Sequence, residues 1–524
     1  MYSLVIFISS LLYLFIRVKK NMQIFQQNFY NENNRYIKWG FKHLSKVFNI
    51  YDISIVIINV INLFIKCKWL IWINVLYLFL YVIYNNKFKR EQVKLALVVS
   101  SRVKKLFVSC AVVLIITTLL LYKNVYVFNV VYSFVILFNF YLLYLVNIIN
   151  KPIDKAIYYH YYNITMKKLK SLTNLEVIGV TGSYGKTSTK NFLNEILNIK
   201  YNSLATPKNY NTKYGLMITI NEYLNKYNDF LIAEMGAYKR GSIQSLCKMV
   251  KPKYGIITTI GLAHLETFGS VENIQKGKFE LIDSLPDDGL AILNADDSRQ
   301  VDYKIKSNCK RIWIGINSEN VDVRAKDIKV MADGMHFNIY FKDDNKEYEF
   351  YTKMLGFENI YNILDAVAFG KYMGLTIKEL QYGVRMLKPI PHRLELKRVS
   401  DKKIIIDDAY NSNPTGSKMA LEVLGKMEGT KIIVTPGMIE LGKDEYELNK
   451  KFGEYISEVC DYVVLVGKKQ TKPIYEGLMN KNYDEKKLFV INDVKEAFKL
   501  VDDIESNKIK YILLENDCPD IFNE

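Results

Sequence analysis

At 524 residues the chain exceeds what one hydrophobic core organises and calls for about three domains. Its formal charge of +17 sits in the first third: residues 1–170 carry 22 Lys and Arg against four acidic residues (Glu32, Asp52, Glu91, Asp154), so the rest is nearly neutral and no nucleic-acid partner is implied. Six scattered cysteines form no Cys-x-x-Cys pair and five histidines no His-x-x-x-His pair, which argues against a disulfide framework or a zinc site and fits a reducing compartment.

Residues 2–16 are apolar and are followed by Arg17, Lys19 and Lys20, the reverse of a signal peptide's charge order, which predicts a retained anchor. Further apolar runs occupy 51–65, 69–84, 106–122 and 125–149, with no proline before Pro152. Lys66-Cys67-Lys68 makes the second and third runs either a tight helical hairpin or one broken helix. Residues 17–50 and 85–105 hold seven basic residues each. Placing both stretches on the cytoplasmic side requires five crossings with an outside N-terminus, and leaves everything after Lys151 beside cytoplasmic ATP. The expectation is a multi-pass cell-membrane domain at 1–150 and a juxtamembrane linker at 151–176.

Val177–Val180 reads as a buried strand that breaks at glycines and passes into a helical pattern (Phe192, Leu193, Ile196, Leu197). Between them lies Thr181-Gly-Ser-Tyr-Gly-Lys-Thr-Ser188, the plan of a phosphate-binding loop. Gly182 and Gly185 permit the tight turn, Lys186 supplies a cation, and the Thr187 or Ser188 hydroxyl offers Mg²⁺ a ligand. The spacing departs from the generic nucleotide loop, which leaves four residues before Gly-Lys; here Gly179 leaves five and Gly182 two.

From 177 to about 390, short apolar strands (Phe230–Ala233, Tyr254–Thr258, Ala291–Leu293) alternate with helical stretches. That pattern predicts a mostly parallel sheet covered on both faces. Residues 391–524 repeat it with Lys403–Ile406, Lys431–Val434, Tyr462–Val466 and Tyr511–Leu514. Four clusters follow predicted strands or open helices. Glu234 after Phe230–Ala233 is placed as a Mg²⁺ partner or a solvated strand end. His264-Leu-Glu266 precedes Lys276-Gly-Lys278. Asn359 and Asn362 share a helix face, where they read a base edge or cap the helix. His392-Arg393 faces Asp407-Asp408-Ala-Tyr410-Asn411-Ser-Asn413-Pro414, with Arg393 offering a fork for phosphate or carboxylate and the aspartates able to bind metal or orient an amine.

In their order these motifs, with Thr435-Pro-Gly-Met-Ile-Glu-Leu-Gly442 and Glu515-Asn-Asp-Cys-Pro519, resemble the Mur ligases over about residues 171–524. The resemblance implies an α-helical membrane domain followed by α/β domains: a central P-loop ATPase domain at 177–390 and a Rossmann-like C-terminal domain at 391–524. It implies ATP-dependent amide formation through an acyl phosphate, with ATP and Mg²⁺ as cofactors. The implied partners are a cell-wall peptide precursor and an amino acid or dipeptide, most closely a muramoyl tripeptide and D-alanyl-D-alanine, along with membrane lipid and wall-synthesis proteins. By the family pattern Gly182, Ser183, Gly185, Lys186, Thr187, Ser188, Asn359, Asn362 and Arg393 hold nucleotide. Thr187, Glu234, His264 and a carbamylated Lys278 hold metal, and Lys186, Lys278, Arg393 and Asp408 serve catalysis. Asn209, Asn211, Thr212, Tyr410, Asn411 and Asn413 lie toward the acceptor or incoming amine.

Two departures stand out. Glu358 occupies a position where the family often has His, and the soluble members' UDP-sugar domain is replaced by apolar segments, which leaves the acceptor UDP-linked or lipid-linked. A different acceptor (polyglutamate or pseudomurein type) and a non-catalytic ATP-binding membrane scaffold remain as alternative readings.

Overall fold

In the computed structural model the described residues are 2–28, 30, 34–88, 97–121, 123–331, 334–388, 392, 394–409, 414–439 and 441–516. The chain divides between His160 and Tyr161 into two units.

The N-terminal unit is helical, its long elements being Tyr2–Gln27, Ile50–Ile65, Lys68–Phe88, Ser101–Leu121, Val125–Leu137 and the first part of Asn139–Ser171. Residues 51–84 form the hairpin. Lys66 turns left-handed (φ 54°), Asn62 Oδ1 accepts from the Cys67 N–H (2.9 Å), and Asn74 on the second helix bonds back to Asn59 on the first (3.0 Å). The expected run 125–149 is not one straight helix: it breaks at Phe138 with an 83° bend. The cause is local, because the Asn139 side-chain amide takes the Ile136 carbonyl (2.6 Å) and competes with the helical ladder.

The outward face of this unit is apolar, and its apolar core also encloses polar side chains. Its interior holds Arg17, Asp52, Asn59, Asn74, Asn129 and Asn139, with Arg17 paired to Asp52 at 2.7 Å, while Ile57, Phe64, Leu76, Leu80, Ile116 and Leu120 face outward. Among the described helices Ser101–Leu121 is by itself long and apolar enough to cross a bilayer, and Val125–Leu137 with Asn139–Ser171 meets that test as a bent pair. The two basic stretches meet at one end of the unit. Gln26 exchanges two hydrogen bonds with the Val98 backbone (3.0 Å each), and the Arg102 guanidinium lies 4.1 Å from the centre of the Tyr30 ring. At the other end the Tyr126 hydroxyl donates to the Lys66 carbonyl (2.7 Å).

The second unit carries two sheets. The larger contains β1 (Glu176–Thr181), β2 (Ser203–Ala205), β3 (Phe230–Glu234), β4 (Tyr254–Ile257), β5 (Leu290–Asn294), β6 (Lys310–Gly315), β7 (Val323–Met331), β8 (Gly334–Phe341) and β9 (Lys346–Thr352). Their order is β2-β3-β1-β4-β5-β6-β7-β8-β9, parallel as far as β7. Strands β3, β4 and β5 are buried at every residue, as parallel strands covered on both faces must be. The last three strands form an antiparallel meander that the strand–helix alternation did not announce, and β8 shows the corresponding alternation of burial.

Helix Lys186–Leu197 presses Phe192, Leu193, Ile196 and Leu197 into the core, where helix Phe357–Tyr372 packs against it. The smaller sheet contains β10 (Glu395–Ser400), β11 (Lys403–Asp408), β12 (Thr430–Thr435), β13 (Tyr462–Val466), β14 (Leu488–Ile491) and β15 (Lys510–Glu515). Its order is β10-β11-β15-β12-β13-β14, and only the β10–β11 pair is antiparallel. In the larger sheet the chain leaves the neighbouring strands β1 and β4 toward opposite edges. That reversal opens a crevice at their carboxyl ends, where ligands collect in open α/β sheets.

Candidate active site

The crevice is occupied by the phosphate loop. Gly185 caps helix Lys186–Leu197 with φ 78°, and a Cβ there would come 2.5 Å from Asn362 Oδ1. At Gly182 a Cβ would come 2.0 Å from Thr258 Oγ1 at the end of β4. Both positions therefore require glycine, one for its left-handed backbone and both for close approach. Lys186 arches back over the loop, its Nζ donating to the Gly182 (2.9 Å) and Ser183 (3.0 Å) carbonyls. The Ser183 hydroxyl donates to Gly261 O (3.1 Å), and its N–H donates to Thr259 O (2.6 Å). The Thr258–Ile260 segment is clamped in turn by Asp297, Arg299 and Gln300, which bond the Ile260 N–H and the Ile260 and Thr258 carbonyls.

Glu234, at the end of β3, lies at the centre of the site. Thr187 Oγ1 donates to its Oε2 (3.1 Å), Asn211 Nδ2 donates to its Oε1 (3.1 Å), and Lys190 Nζ pairs with Oε2 at 2.9 Å. Burial alone would raise the Glu234 pKa, but Lys190 and then Lys186 outweigh it and hold the carboxyl below the usual glutamate range. It is therefore a carboxylate near neutral pH, adjacent to a hydroxyl, a donor set that suits a hard divalent cation. Among the described residues, however, no three His, Cys, Asp or Glu side chains gather to hold an ion. Of the metal set expected from sequence, Thr187 and Glu234 touch, and His264 sits in a left-handed turn (φ 61°) with its ring 4.7 Å from that of Tyr238.

Lys278 is 2 % exposed on helix Val271–Phe279. Burial pushes its amine well below the ordinary lysine range, and the Lys186 charge pushes the same way against a weaker opposing pull from Glu280. An unprotonated amine is the form that adds CO₂.

Asn359 and Asn362 are buried on helix Phe357–Tyr372 and their hydrogen bonds are internal. Asn359 Nδ2 donates to Leu355 O (2.7 Å), and Asn362 Oδ1 accepts from Thr189 Oγ1 (3.1 Å). Asn362 therefore braces Gly185 and the loop helix. Ser188 is buried in the same helix. Of the acceptor-side residues, Asn211 clips the Glu234 strand end, its carbonyl also accepting from Gly236 N–H (2.8 Å). Its neighbour Asn209 offers its carbonyl to Asn211 N–H (2.8 Å). The Thr212 hydroxyl is taken up capping helix Lys213–Ile218 through Gly215 N–H (3.3 Å).

On the smaller sheet, Asp407 accepts from His392 (2.8 Å) and Lys397 (2.6 Å), and Lys397 heads the contacts that hold its carboxyl low against burial. Asp408 Oδ1 accepts from the Leu394 N–H (3.1 Å), and Asp408 pairs in register with Glu515 across β11 and β15. The aspartate pair is thus neutralised by cations and backbone donors, and it forms no metal cluster with the described residues around it. Arg393, Tyr410, Asn411 and Asn413 lie outside the described residues. Sequence reading passed over Lys190, Asn211's bond to Glu234 and the Asp297–Gln300 clamp. Lys190's only signal was its place one helical turn beyond Lys186.

Residues 180–370 match the Mur ligase middle domain, and residues 392–513 match the glutamate ligase domain of Mur ligases, together more than half of the chain. A UDP-N-acetylmuramoyl-tripeptide–D-alanyl-D-alanine ligase of Escherichia coli is 31% identical over 294 residues, covering 56% of this chain and 64% of that protein. The ligase of the same name from Bacillus subtilis is 33% identical over 295 residues, covering 56% and 63%. The chain thus spans somewhat under two thirds of the length of these curated relatives. Among solved structures, MurF from Acinetobacter baumannii superposes with a TM-score of 0.62 at 25% identity, covering 68% of this chain and 77% of that one. MurF ligase from Thermotoga maritima in complex with ADP gives 0.61 at 26% identity, covering 69% and 80%. With both domain matches lying on the two sheets and on the loop, strand end and buried lysine just described, the chain belongs to the Mur ligase family.

Proposed function

We propose that this chain is an ATP-dependent ligase that joins D-alanyl-D-alanine to a muramoyl tripeptide, with its catalytic domains held at the cytoplasmic face of a membrane. The observation that carries the chemistry is the group of Lys186, Thr187 and Glu234 at adjoining strand ends, with buried Lys278 under the influence of the same Lys186 charge. The relatives' names and the ADP-bound neighbour supply the substrate class.

In this reading an oxygen of the tripeptide carboxylate attacks the γ-phosphorus of ATP. The bond from that phosphorus to the β,γ-bridging oxygen breaks, releasing ADP and leaving an acyl phosphate. The dipeptide nitrogen then attacks the acyl carbon, phosphate departs with the C–O bonding electrons, and the nitrogen gives up a proton. Charge spreads over the transferring phosphoryl oxygens, so cations and amides fixed in advance lower the barrier. Lys186 provides one such cation, Gly182 and Gly185 let backbone N–H groups approach, and Glu234 stays ionised through Lys190. Mg²⁺, when bound, neutralises phosphate charge, and Thr187 and Glu234 are the residues that would hold it. Asp408, with Arg393 near it in sequence, is the assigned positioner of the nucleotide or incoming amine. Hydroxylamine added with ATP and the muramoyl tripeptide, but no dipeptide, should trap the acyl phosphate as a hydroxamate. Unchanged tripeptide with no hydroxamate would remove the acyl-phosphate route.

The membrane placement rests on the apolar outward faces of the N-terminal helices, the polar side chains buried among them, and the meeting of both basic stretches at one end of the unit. Five crossings put that end, and residues 151–524, in the cytoplasm. A single cysteine introduced at position 30 of an otherwise cysteine-free protein should resist an impermeant maleimide in intact cells and react once the cells are opened. Labelling in intact cells would contradict this topology.

A further inference from the structure

Lys190 is 1 % exposed, and its ammonium joins two parts of the unit that the chain keeps apart. On one side it pairs with Glu234 Oε2 (2.9 Å), and on the other it donates to the carbonyl of Lys208 (2.6 Å). Lys208 opens the loop that contains Asn209, Asn211 and Thr212. The same loop returns to Glu234 through the Asn211 amide (3.1 Å) and to Gly236 through the Asn211 carbonyl (2.8 Å). The phosphate-loop helix, the end of β3 and the 206–212 loop are therefore closed into one ring of hydrogen bonds through the Lys190 ammonium. A carboxylate buried as Glu234 is needs such a counter-charge, and a buried ammonium needs acceptors.

We propose that Lys190 is a positioning residue that couples the nucleotide site to the acceptor loop, holding residues 206–212 in the shape that receives the acceptor's peptide. The inference rests on the ligase reading for the identity of the acceptor, but the linkage itself is a property of these contacts. Lys190 lies on the side of its helix that faces Glu234 and the loop, four residues beyond Lys186, which reaches instead toward the Gly182 and Ser183 carbonyls. The two lysines thus divide the work: Lys186 is directed at phosphate, and Lys190 fixes the scaffold on which the second substrate rests.

The test uses the full-length protein and compares Lys190→Met, which keeps the side-chain length without the charge, with Lys190→Ala. Removing one buried charge-assisted link should raise the KM for the muramoyl tripeptide about tenfold to a hundredfold, and the KM for ATP by much less. Hydrogen exchange should quicken in residues 206–212 and at Gly236 while core strands such as β5 keep their protection. In Lys190→Ala, added n-propylamine should restore slow exchange in the loop and lower the acceptor KM, which generic destabilisation would not allow. Equal rises in both KM values, or a loop whose exchange is unchanged by the substitution, would overturn the coupling. If the unmodified protein does not ligate this acceptor, the ligase reading fails, while the exchange and amine-rescue measurements still decide whether Lys190 holds the loop.

Discussion

Lys186→Ala should abolish ATP-dependent ligation while leaving the protein folded. Lys186 is the cation that arches over the phosphate loop, its Nζ donating to the carbonyls of Gly182 and Ser183. A phosphoryl group in flight places its charge against such a donor, and losing one prearranged cation costs on the order of 10²–10³ in rate or more. The fold should tolerate the change because the loop's own anchors, from Ser183 to Gly261 and Thr259, do not involve this side chain. The measurement is steady-state ADP release together with a thermal melt. A Lys186→Ala protein that melts normally and turns over within about threefold of the parent would show that phosphate is not handled at this loop.

Lys278→Ala should be equally inactive, and for a different reason. The amine is buried, and both that burial and the Lys186 charge disfavour its protonated form. As an ammonium it would repel the cations that ATP brings. As a carbamate, formed when the neutral amine adds CO₂, it would present an oxygen ligand and reverse the sign of its charge. The sign of the pH dependence follows. A lysine held below its ordinary range loses its proton at lower pH than a free lysine, so the reactive amine is available where an exposed lysine remains charged. Loss of the carbamate oxygen should cost about 10²-fold or more, and formate or acetate should recover part of that in Lys278→Ala but not in Lys186→Ala. Full activity of Lys278→Ala in CO₂-depleted buffer would count against the assignment.

The phosphate loop was legible in the sequence because its logic is local. The strand, two glycines, Lys186, Thr187 and the helix that follows are neighbours along the chain, and each has a conformational reason for its place. Glu234 was legible for a related reason, as a lone carboxylate closing an apolar strand. Lys190 was not. In sequence it is one more lysine on an amphipathic helix, and only the fold brings it to Glu234 and Lys208, 44 and 18 residues away. Asn359 and Asn362 show the opposite limit: their shared helix face was readable, yet their carbonyl and hydroxyl partners come from the Leu355 turn and the loop helix. The β7–β9 meander escaped because its strands alternate on a half-buried surface while the apolar-run criterion favours fully buried strands. In the helical unit, apolar runs marked the helices, but the break at Phe138 came from one asparagine side chain whose preference for the preceding carbonyl is invisible to hydropathy. The asparagines at 59, 62 and 129 trace the interior stripe, a pattern that a hydropathy average hides.

The most direct test of the central claim is ADP release by the purified full-length protein across a panel in which acceptor and amine are varied independently. The account predicts rapid ADP release only when ATP, a muramoyl tripeptide and D-alanyl-D-alanine are all present, with one new amide bond formed per ADP. ADP release that is indifferent to the dipeptide, or that responds instead to glutamate and a different acceptor, would contradict it.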